Sequence, residues 1–555
     1  MGLFIRKPLS HLFAEAEESE KGLKKSLTAT TLVTLGIGAI IGAGLFSITG
    51  VAAANNAGPA ITISFIVAAL GCAFAGLCYA EFASMIPVAG SAYTYSYATM
   101  GEFIAWIIGW DLVLEYAVGA ATVSISWSRY LMKFLGPDGI NIHLDPSYTL
   151  YTLSPFDGGI INIPAVFIVM LMSLLLMKGT KESAFVNGII VTLKVAVVLI
   201  FIALGWHYIH PENYHPYIPD NTGTFGEFGF SGIVQAAAIV FFAYIGFDAV
   251  STAAQEAKNP KRDMPIGILL SLAICTVLYI LFAHVMTGVA NYKLFAGKDS
   301  IAPVAVAIEN MGSKLGADGK IIPDFPWLNK AIILAILGGY ASVILVMLMG
   351  QSRVFFSMSR DGLLPPLFST IHPKFRTPAK NNIFFMLFVS IFAAFVPARI
   401  VGEMTSIGTL FAFILVCFGV MIMRKRMPEA PRAFRTPFVP LVPILGVATC
   451  LFMMVFLPTD TWIRLVVWMM IGLDVYLFYG MNKSHLNRTK FHAGSYKIVS
   501  YTGIALAVIL VIVAQIHHSS ADANDAGLYI FSLAFAVLHA FIFLYTSIKK
   551  RIMIV

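Results

Sequence analysis

The feature that most constrains the fold of this chain is a succession of apolar runs. A spanning helix needs about 20 apolar residues, because the hydrocarbon core of a bilayer is about 30 Å thick. Fourteen runs near that length follow one another between residues 30 and 548. Of the 555 residues, 58% are hydrophobic and only 12% are charged, which is typical of a polytopic membrane protein and not of a soluble domain. We therefore predict an all-α polytopic membrane protein with about 14 transmembrane helices.

The boundaries of the predicted spans follow from these runs. They are residues 30–54, 58–86, 99–134, 160–178, 184–209, 229–256, 264–290, 330–358, 381–397, 402–424, 438–457, 460–481, 498–517 and 526–548. The first thirty residues are polar and charged, so the first span is expected to act as the insertion signal.

The distribution of basic residues predicts the orientation in the membrane. With a cytoplasmic N-terminus, 27 of the 37 Lys and Arg residues fall in cytoplasmic segments and nine on the opposite side, while Lys194 lies within the membrane. Cytoplasmic loops are enriched in Lys and Arg. This bias predicts that both termini lie in the cytoplasm, and the multi-pass protein is expected in the plasma membrane. It also explains the net charge of +8 without a nucleic-acid partner.

A glycine-rich stretch interrupts the first span. Residues 36–44 contain four glycines in nine positions, and each glycine costs about 1 kcal/mol relative to alanine in a helix. A broken membrane helix exposes backbone groups, which are tolerated where they line a cavity or are buried in protein. Secondary transporters bind substrate at such breaks. The alternative is a continuous helix whose small residues allow close packing.

A second interruption lies in the sixth span, where Gly246 and Asp248 follow an apolar run. Two interrupted helices five spans apart indicate an inverted repeat of five plus five helices, with the site at the repeat interface. The predicted organisation is a cytoplasmic tail, two repeats, accessory helices and a second cytoplasmic tail. Their bounds are 1–29, 30–209, 210–424, 425–548 and 549–555.

Ionisable residues at membrane depth are costly and are usually functional. Lys194 lies in the middle of the fifth span. An ammonium without a partner in low dielectric loses its proton readily, so Lys194 is the predicted proton-coupling group. The alternative is a structural lysine that stays paired to backbone carbonyls.

Several acidic residues also lie within the spans. Asp111 and Glu115 are one helical turn apart and share a face of the third span. Each is equally compatible with a substrate site and with a polar network, whereas Asp248 is expected to order the broken part of the sixth span. Glu81, Glu102 and Glu256 lie near cytoplasmic ends and are predicted to pair with Lys or Arg.

An ordered set of motifs supports a family resemblance. The motifs are GAIIGAGLF (38–46), EFASMIPVAGSAY (81–93), FAYIGFD (242–248), QEAKNP (255–260), MPIGI (264–268), QSR (351–353), MSRDGLLP (358–365), SIGTL (406–410) and PRAFRTP (431–437). In this order they resemble the amino acid–polyamine–organocation superfamily and, within it, the cationic amino acid transporter family. The resemblance covers residues 30–480.

The resemblance implies a LeuT-type fold and assigns roles to individual residues. The substrate carboxylate would bind backbone N–H groups of Ile41, Gly42, Ala43 and Gly44. The α-amino group would meet the carbonyls of Ile40, Phe242, Ala243 and Ile245. Phe242 would also cover the substrate, and Glu115 would line the side-chain pocket together with residues 338–342. Lys194 would occupy the place of the ion in sodium-coupled relatives, which favours protons.

The predicted function is secondary active transport of cationic or small neutral L-amino acids, coupled to protons and working by alternating access. The alternatives are a sodium-coupled or exchange-type permease and an amino acid sensor on the same fold. The sequence has no HExxH, no G-x-S-x-G and no phosphate-binding glycine loop, so an enzyme is not expected. No cofactor and no metal are predicted.

The expected partners are an L-amino acid, protons and the lipid bilayer. Many bacterial relatives end after twelve helices, whereas this chain continues through 498–517 and 526–548. These two accessory helices would pack on the bundle or offer a surface to a lipid or a small membrane protein.

Overall fold

The structure is a computed structural model. It describes residues 2–18, 25–42, 44–88, 90–136, 140, 142, 146–296, 303–312, 314–315, 321–486, 493–519 and 526–552. Within these ranges the chain is almost entirely helical. The strands in the described part, β1 (Lys314–Leu315) and β2 (Ile321–Ile322), form one short antiparallel pair in the loop before the eighth span.

We number the spanning helices α1 to α14. The first seven are α1 (Ala29–Ile40 and 44–57), α2 (Ile61–Met85), α3 (Glu102–Leu135), α4 (Ile163–Lys178), α5 (Thr180–Gly205), α6 (Gly229–Val240, Phe241–Tyr244 and Ala249–Thr252) and α7 (Pro260–Val289). The others are α8 (Pro326–Arg360), α9 (Ala379–Phe395), α10 (Ala398–Arg426), α11 (Leu441–Val455), α12 (Thr459–Lys483), α13 (Ala493–Ser519) and α14 (Ala526–Ile552).

These helices confirm the prediction of an all-α polytopic membrane protein. Ten segments of the described chain are long and apolar enough to cross a membrane, and the first of them, Ala29–Met85, contains both α1 and α2. The three shorter apolar helices α4, α9 and α11 complete the predicted set. α14 continues to Ile552, into the predicted tail 549–555, and the last three residues of that tail lie outside the described part.

Of the accessory helices, α11 packs on α10 and α2, whereas α13 and α14 are joined to the bundle through α12. α12 packs on α3 through two tryptophans that exchange hydrogen bonds: Trp110 Nε1 donates to Trp468 O at 2.9 Å, and Trp468 Nε1 donates to Trp110 O at 3.1 Å. α13 and α14 pack on each other and on α12. His539 of α14 lies 2.9 Å from Asp474 of α12. The sequence offered no visible partner for either of these residues.

The predicted N-terminal tail is partly built into the fold. Leu3 and Leu12 are 1% and 0% exposed. Just before α1, the backbone N–H groups of Ser26 and Leu27 both donate to Glu256 O at 2.9 Å. The segment that leads into α1 is therefore tied to the end of α6.

Candidate functional site

The first half of α1 ends where the glycine-rich stretch predicts an interruption. Ile41 has an extended backbone (φ −74°, ψ 104°), and its N–H donates to Ile37 O at 3.0 Å. Helical structure resumes at Gly44. Ala43, a predicted carboxylate ligand, lies outside the described residues. The break therefore exposes the carbonyls at the end of the first half and begins a new helix a few residues later.

α6 is interrupted at the predicted place as well. A single 3-10 turn, Phe241–Tyr244, follows the first half, and Ile245 then turns the chain with ψ 135°. Gly246 has φ +114°, a conformation that side chains with a Cβ rarely adopt. The helix resumes at Ala249.

The two breaks lie against each other with their backbones in contact. A Cβ built on Gly44 would stand 2.2 Å from Ala243 Cα, and one on Gly246 would stand 2.8 Å from Ala39 Cβ. Only glycine allows this approach. The predicted substrate residues around the contact are all buried, namely Ile40, Ile41, Gly42, Gly44, Phe242, Ala243 and Ile245.

A tyrosine that the sequence analysis did not single out joins the two breaks. Tyr279 of α7 is fully buried, and its Oη lies 2.7 Å from Ile40 O and 2.8 Å from Ala243 O. A phenol has one proton, so it satisfies one of these carbonyls at a time. Both carbonyls are predicted acceptors of the substrate amino group. The available signal was a tyrosine in an apolar span, because a buried phenol usually finds a partner.

Lys194 reaches the same break from α5. Its side chain is fully buried, and Nζ donates to Gly38 O and to Ile41 O, both at 2.8 Å. Ser342 of α8 also donates to Gly38 O, at 3.3 Å. The ammonium thus sits at the carbonyl end of the first half of α1, where exposed carbonyls favour a cation. This geometry matches the structural alternative, a lysine that is paired to backbone carbonyls.

Three carboxyl groups are gathered beside the breaks. Asp111, Glu115 and Asp248 are each 0% exposed. Tyr116 Oη donates to Asp248 Oδ2 at 2.5 Å, while neither oxygen of the Glu115 carboxyl has a hydrogen-bond partner among the described residues. Within the described chain, no basic side chain forms an ion pair with any of the three.

The burial of Glu115 and Asp248 has a chemical consequence. An ionised carboxylate without a cationic partner is costly to bury, so this environment favours the neutral carboxyl form. Asp111 lies one turn before Glu115, against α10, where a Cβ on Gly408 would stand 3.1 Å from Asp111 Oδ1. The structure therefore brings Glu115 and Asp248 together as a polar pair and places Asp111 beside them.

Ion pairs close the basic-rich face of the protein, the side that carries the 257–263 and 353–380 segments. Arg353 Nη2 lies 2.9 Å from Glu256 Oε1, and both side chains are 1% exposed. Glu81 accepts two hydrogen bonds from Arg424, at 2.8 and 2.9 Å, and one from Arg432 at 3.1 Å. The predicted basic partners of Glu81 and Glu256 are confirmed.

The same prediction is wrong for Glu102. Its carboxylate accepts hydrogen bonds from three hydroxyls: Tyr97 at 2.9 Å, Tyr476 at 2.9 Å and Ser484 at 2.5 Å. Hydroxyl donors satisfy a buried carboxylate without a cation, and nothing in the local sequence distinguishes this case from the other two.

Comparison with known proteins places the chain in a family. The sequence model described as amino acid permease matches residues 27–473. The branched-chain amino acid permease BcaP of Bacillus subtilis is 45% identical over 88% of this chain and 99% of its own length. The methylthioribose transporter of the same organism is 42% identical, again over 88% and 99%.

More distant relatives include the vacuolar cationic amino acid transporter 4 of Arabidopsis thaliana, which is 33% identical over 77% of this chain and 68% of its own length. All these relatives are transporters, which confirms that the protein is not an enzyme. The chain belongs to the amino acid permease family.

Proposed function

We propose that this permease carries an L-amino acid by alternating access and couples its movement to protons, with the substrate bound between the breaks of α1 and α6. The observation that carries the proposal is the position of Lys194. Its ammonium contacts the carbonyls of Gly38 and Ile41 at the break itself. A change in its protonation therefore acts directly on the helix that holds the substrate.

The breaks offer complementary groups to the two ends of an amino acid. The second half of α1 begins at Gly44, and the N-terminus of a helix favours an anion such as the substrate carboxylate. Gly42 and Gly44 are the best-placed described residues for that role, because the Ile41 N–H already donates within α1. The α-amino group would meet the carbonyls of Ile40 and Ala243, and Phe242 would cover the substrate.

Lys194 favours protons over sodium as the coupling ion. A lysine ammonium at the exposed carbonyls would repel a sodium ion in the same place. The described residues accept from two of its three N–H donors. Loss of the proton would weaken both contacts together, because charge-assisted hydrogen bonds are about twice as strong as neutral ones. A sodium-coupled or exchange-type permease is the competing proposal.

The substrate we favour has a neutral side chain. Glu115 was the predicted partner of a cationic substrate, yet it is fully buried beside Asp248, and no basic side chain of the described residues pairs with either carboxyl group. Burial without a cation favours the neutral carboxyl form, which offers no charge to a lysine or arginine side chain. The relatives with the highest identity given above carry names of neutral substrates, a branched-chain amino acid and methylthioribose. A cationic amino acid is the second candidate, because the Arabidopsis relative is named a cationic amino acid transporter.

The finer architecture belongs to the same proposal. Two inverted repeats, 30–209 and 210–424, would rock against each other around the site, with both termini in the cytoplasm and the protein in the plasma membrane. α13 and α14 expose apolar side chains such as Ile512 and Phe541, 53% and 67% exposed, which would face lipid or a small membrane protein.

Uptake into liposomes tests the coupling ion. Purified protein is reconstituted, and uptake of radiolabelled leucine is followed with an inward proton gradient, an inward sodium gradient or no gradient. We expect accumulation driven by protons in the parent protein and its loss in Lys194→Ala. Lys330→Ala, which removes an exposed lysine, is the matched control. Sodium-driven uptake that survives Lys194→Ala would refute proton coupling, and binding without accumulation would favour a sensor.

Competition in the same liposomes tests the substrate class. Unlabelled leucine, alanine and arginine are compared as competitors, in the parent protein and in Glu115→Gln. We expect leucine and alanine to compete and arginine to fail in both proteins. Arginine competition that disappears in Glu115→Gln would instead establish a cationic substrate held by Glu115.

A further inference from the structure

Residues 2–12 are folded onto the basic-rich face of the protein. We call residues 2–12 the N-terminal strap. Leu3, Lys7 and Leu12 are 1%, 7% and 0% exposed, and Ile5 and Leu9 between them are half-buried. This burial shows that the segment packs against the rest of the protein, although its sequence resembles a polar tail.

Backbone hydrogen bonds hold the strap against the turn that leads into α3. Lys7 N–H donates to Tyr97 O at 3.2 Å, and Glu102 N–H donates to Ile5 O at 3.1 Å. Between these two contacts lies Gly101, with φ +102°, and a Cβ there would stand 2.6 Å from the backbone of Phe4. The start of α3 is thus shaped to receive the strap.

An ion pair fixes the strap to the end of α8. Lys7 Nζ lies 2.5 Å from Asp361 Oδ1, and both side chains are 7% exposed. Tyr93 Oη donates to the other carboxylate oxygen at 2.6 Å, and His485 N–H donates to Asp361 O at 2.9 Å. Asp361 therefore joins the strap, the segment after α2 and the segment after α12. Removing one partner would leave a charge with little access to water.

The strap packs on a segment that itself contacts the second half of α6. The 90–99 segment packs between α6 and α8: Ser251 Oγ donates to Ser91 Oγ at 2.8 Å, and a Cβ on Gly90 would stand 3.0 Å from Ser357 Oγ. Ser251 is three residues beyond Asp248, in the second half of α6. The strap is therefore linked to the second half of α6 through the 90–99 segment.

We propose that the N-terminal strap is a latch that holds the basic-rich face closed, with the Lys7–Asp361 ion pair as the contact that opens. The strap itself is argued from its contacts, while its role in substrate passage rests on the proposed transport function. The experiment below measures closure without substrate, so failure of the latch and failure of the transport proposal give different results.

Thiol labelling measures closure. Ser251→Cys places a reporter behind the strap, and labelling of the parent protein without the reporter is subtracted, since the five native cysteines are buried. The detergent-purified protein reacts with a small hydrophilic maleimide. The variants are Lys7→Ala, a deletion of residues 2–12, and the exchanged pair Lys7→Asp with Asp361→Lys. Lys261→Ala removes an exposed cation from the same face as the matched control.

We expect Lys7→Ala and the deletion to raise the labelling rate about tenfold or more, the shift that follows from losing one charge-assisted contact. The exchanged pair should return the rate toward that of the parent, and Lys261→Ala should leave it unchanged. Monodisperse elution of each variant confirms that it is folded. An unchanged rate in both Lys7→Ala and the deletion would overturn the latch. An increase in the deletion alone would overturn the role of the ion pair.

Discussion

Substituting Gly44 with alanine tests the contact between the two broken helices. The added Cβ would stand 2.2 Å from Ala243 Cα, 2.4 Å from its Cβ and 2.8 Å from its backbone N. Carbon atoms pack best about 3.5–4.0 Å apart, so α6 must retreat by more than about 1 Å. Because the obstacle is backbone, no side-chain rotation relieves the overlap.

The size of the effect has two parts. Overpacking of a buried site costs about 1–3 kcal/mol, and a backbone obstacle places Gly44→Ala at the upper end of that range. A shift of this size would also take Ala243 O, now 2.8 Å from Tyr279 Oη, beyond hydrogen-bond range. An unsatisfied buried group costs about 1–3 kcal/mol. We therefore expect Gly44→Ala to destabilise the packed site by about 3 kcal/mol or more.

Thermal stability and uptake measure this effect. After heating, the monodisperse fraction gives an apparent melting temperature, and liposomes give the rate of leucine uptake. Gly188→Ala in α5 is the matched control, because a Cβ there meets nothing within 4 Å and alanine is preferred in helices by about 1 kcal/mol. Gly44→Ala should melt lower and lose uptake, whereas Gly188→Ala should retain both. Parental stability and uptake in Gly44→Ala would refute the close contact.

Two further sets of substitutions probe polar contacts, with the apparent melting temperature as the measurement. Glu256→Gln or Arg353→Met alone should destabilise the protein by about 3–5 kcal/mol, since each leaves a buried charge unpaired. The double variant should recover most of that lost stability. Losses that add up in the double variant would contradict this reasoning. Tyr279→Phe keeps the ring but removes the donor between the breaks, at a cost of about 1–3 kcal/mol. Tyr79→Phe is its control, because among the described residues that buried hydroxyl has no hydrogen-bond partner; equal effects of the two would refute the role of Tyr279.

The breaks and the buried lysine were predictable because each violates a rule that the rest of the chain obeys. Glycines clustered at 36–44 and Gly246 stand out against long helix-forming runs, and the structure interrupts α1 and α6 there. Lys194 stands out as a charge far from either end of its span. Such local conflicts between residue type and surroundings can be read without knowing any contact.

The residues that escaped prediction are those whose meaning depends on a distant partner. Lys7 lies in a polar stretch that is ordinary for a cytoplasmic tail, and its partner Asp361 is 354 positions away. Tyr279 is one of 21 tyrosines, and its chemistry depends on two carbonyls that approach only after α1 and α6 are broken. Glu102 was misassigned for the same reason, since hydroxyl donors leave no charge pattern.

The polar contacts fall into two groups that affect a change between conformations in different ways. At the centre, Lys194, Tyr279 and Ser342 donate to the carbonyls of α1 from three other helices, α5, α7 and α8. In the proposed mechanism, a substrate ammonium would compete with these donors, and deprotonation of Lys194 would weaken its own two contacts. At the basic-rich face, ion pairs such as Lys7–Asp361 contact none of these carbonyls. A minor conformation lies only a few kcal/mol above the major one, and a hydrogen bond to a charged group contributes about 1.5–3 kcal/mol. The loss of one contact at the centre is therefore enough to shift the equilibrium between the two conformations. The ion pairs at the basic-rich face determine how large that shift must be before the face opens.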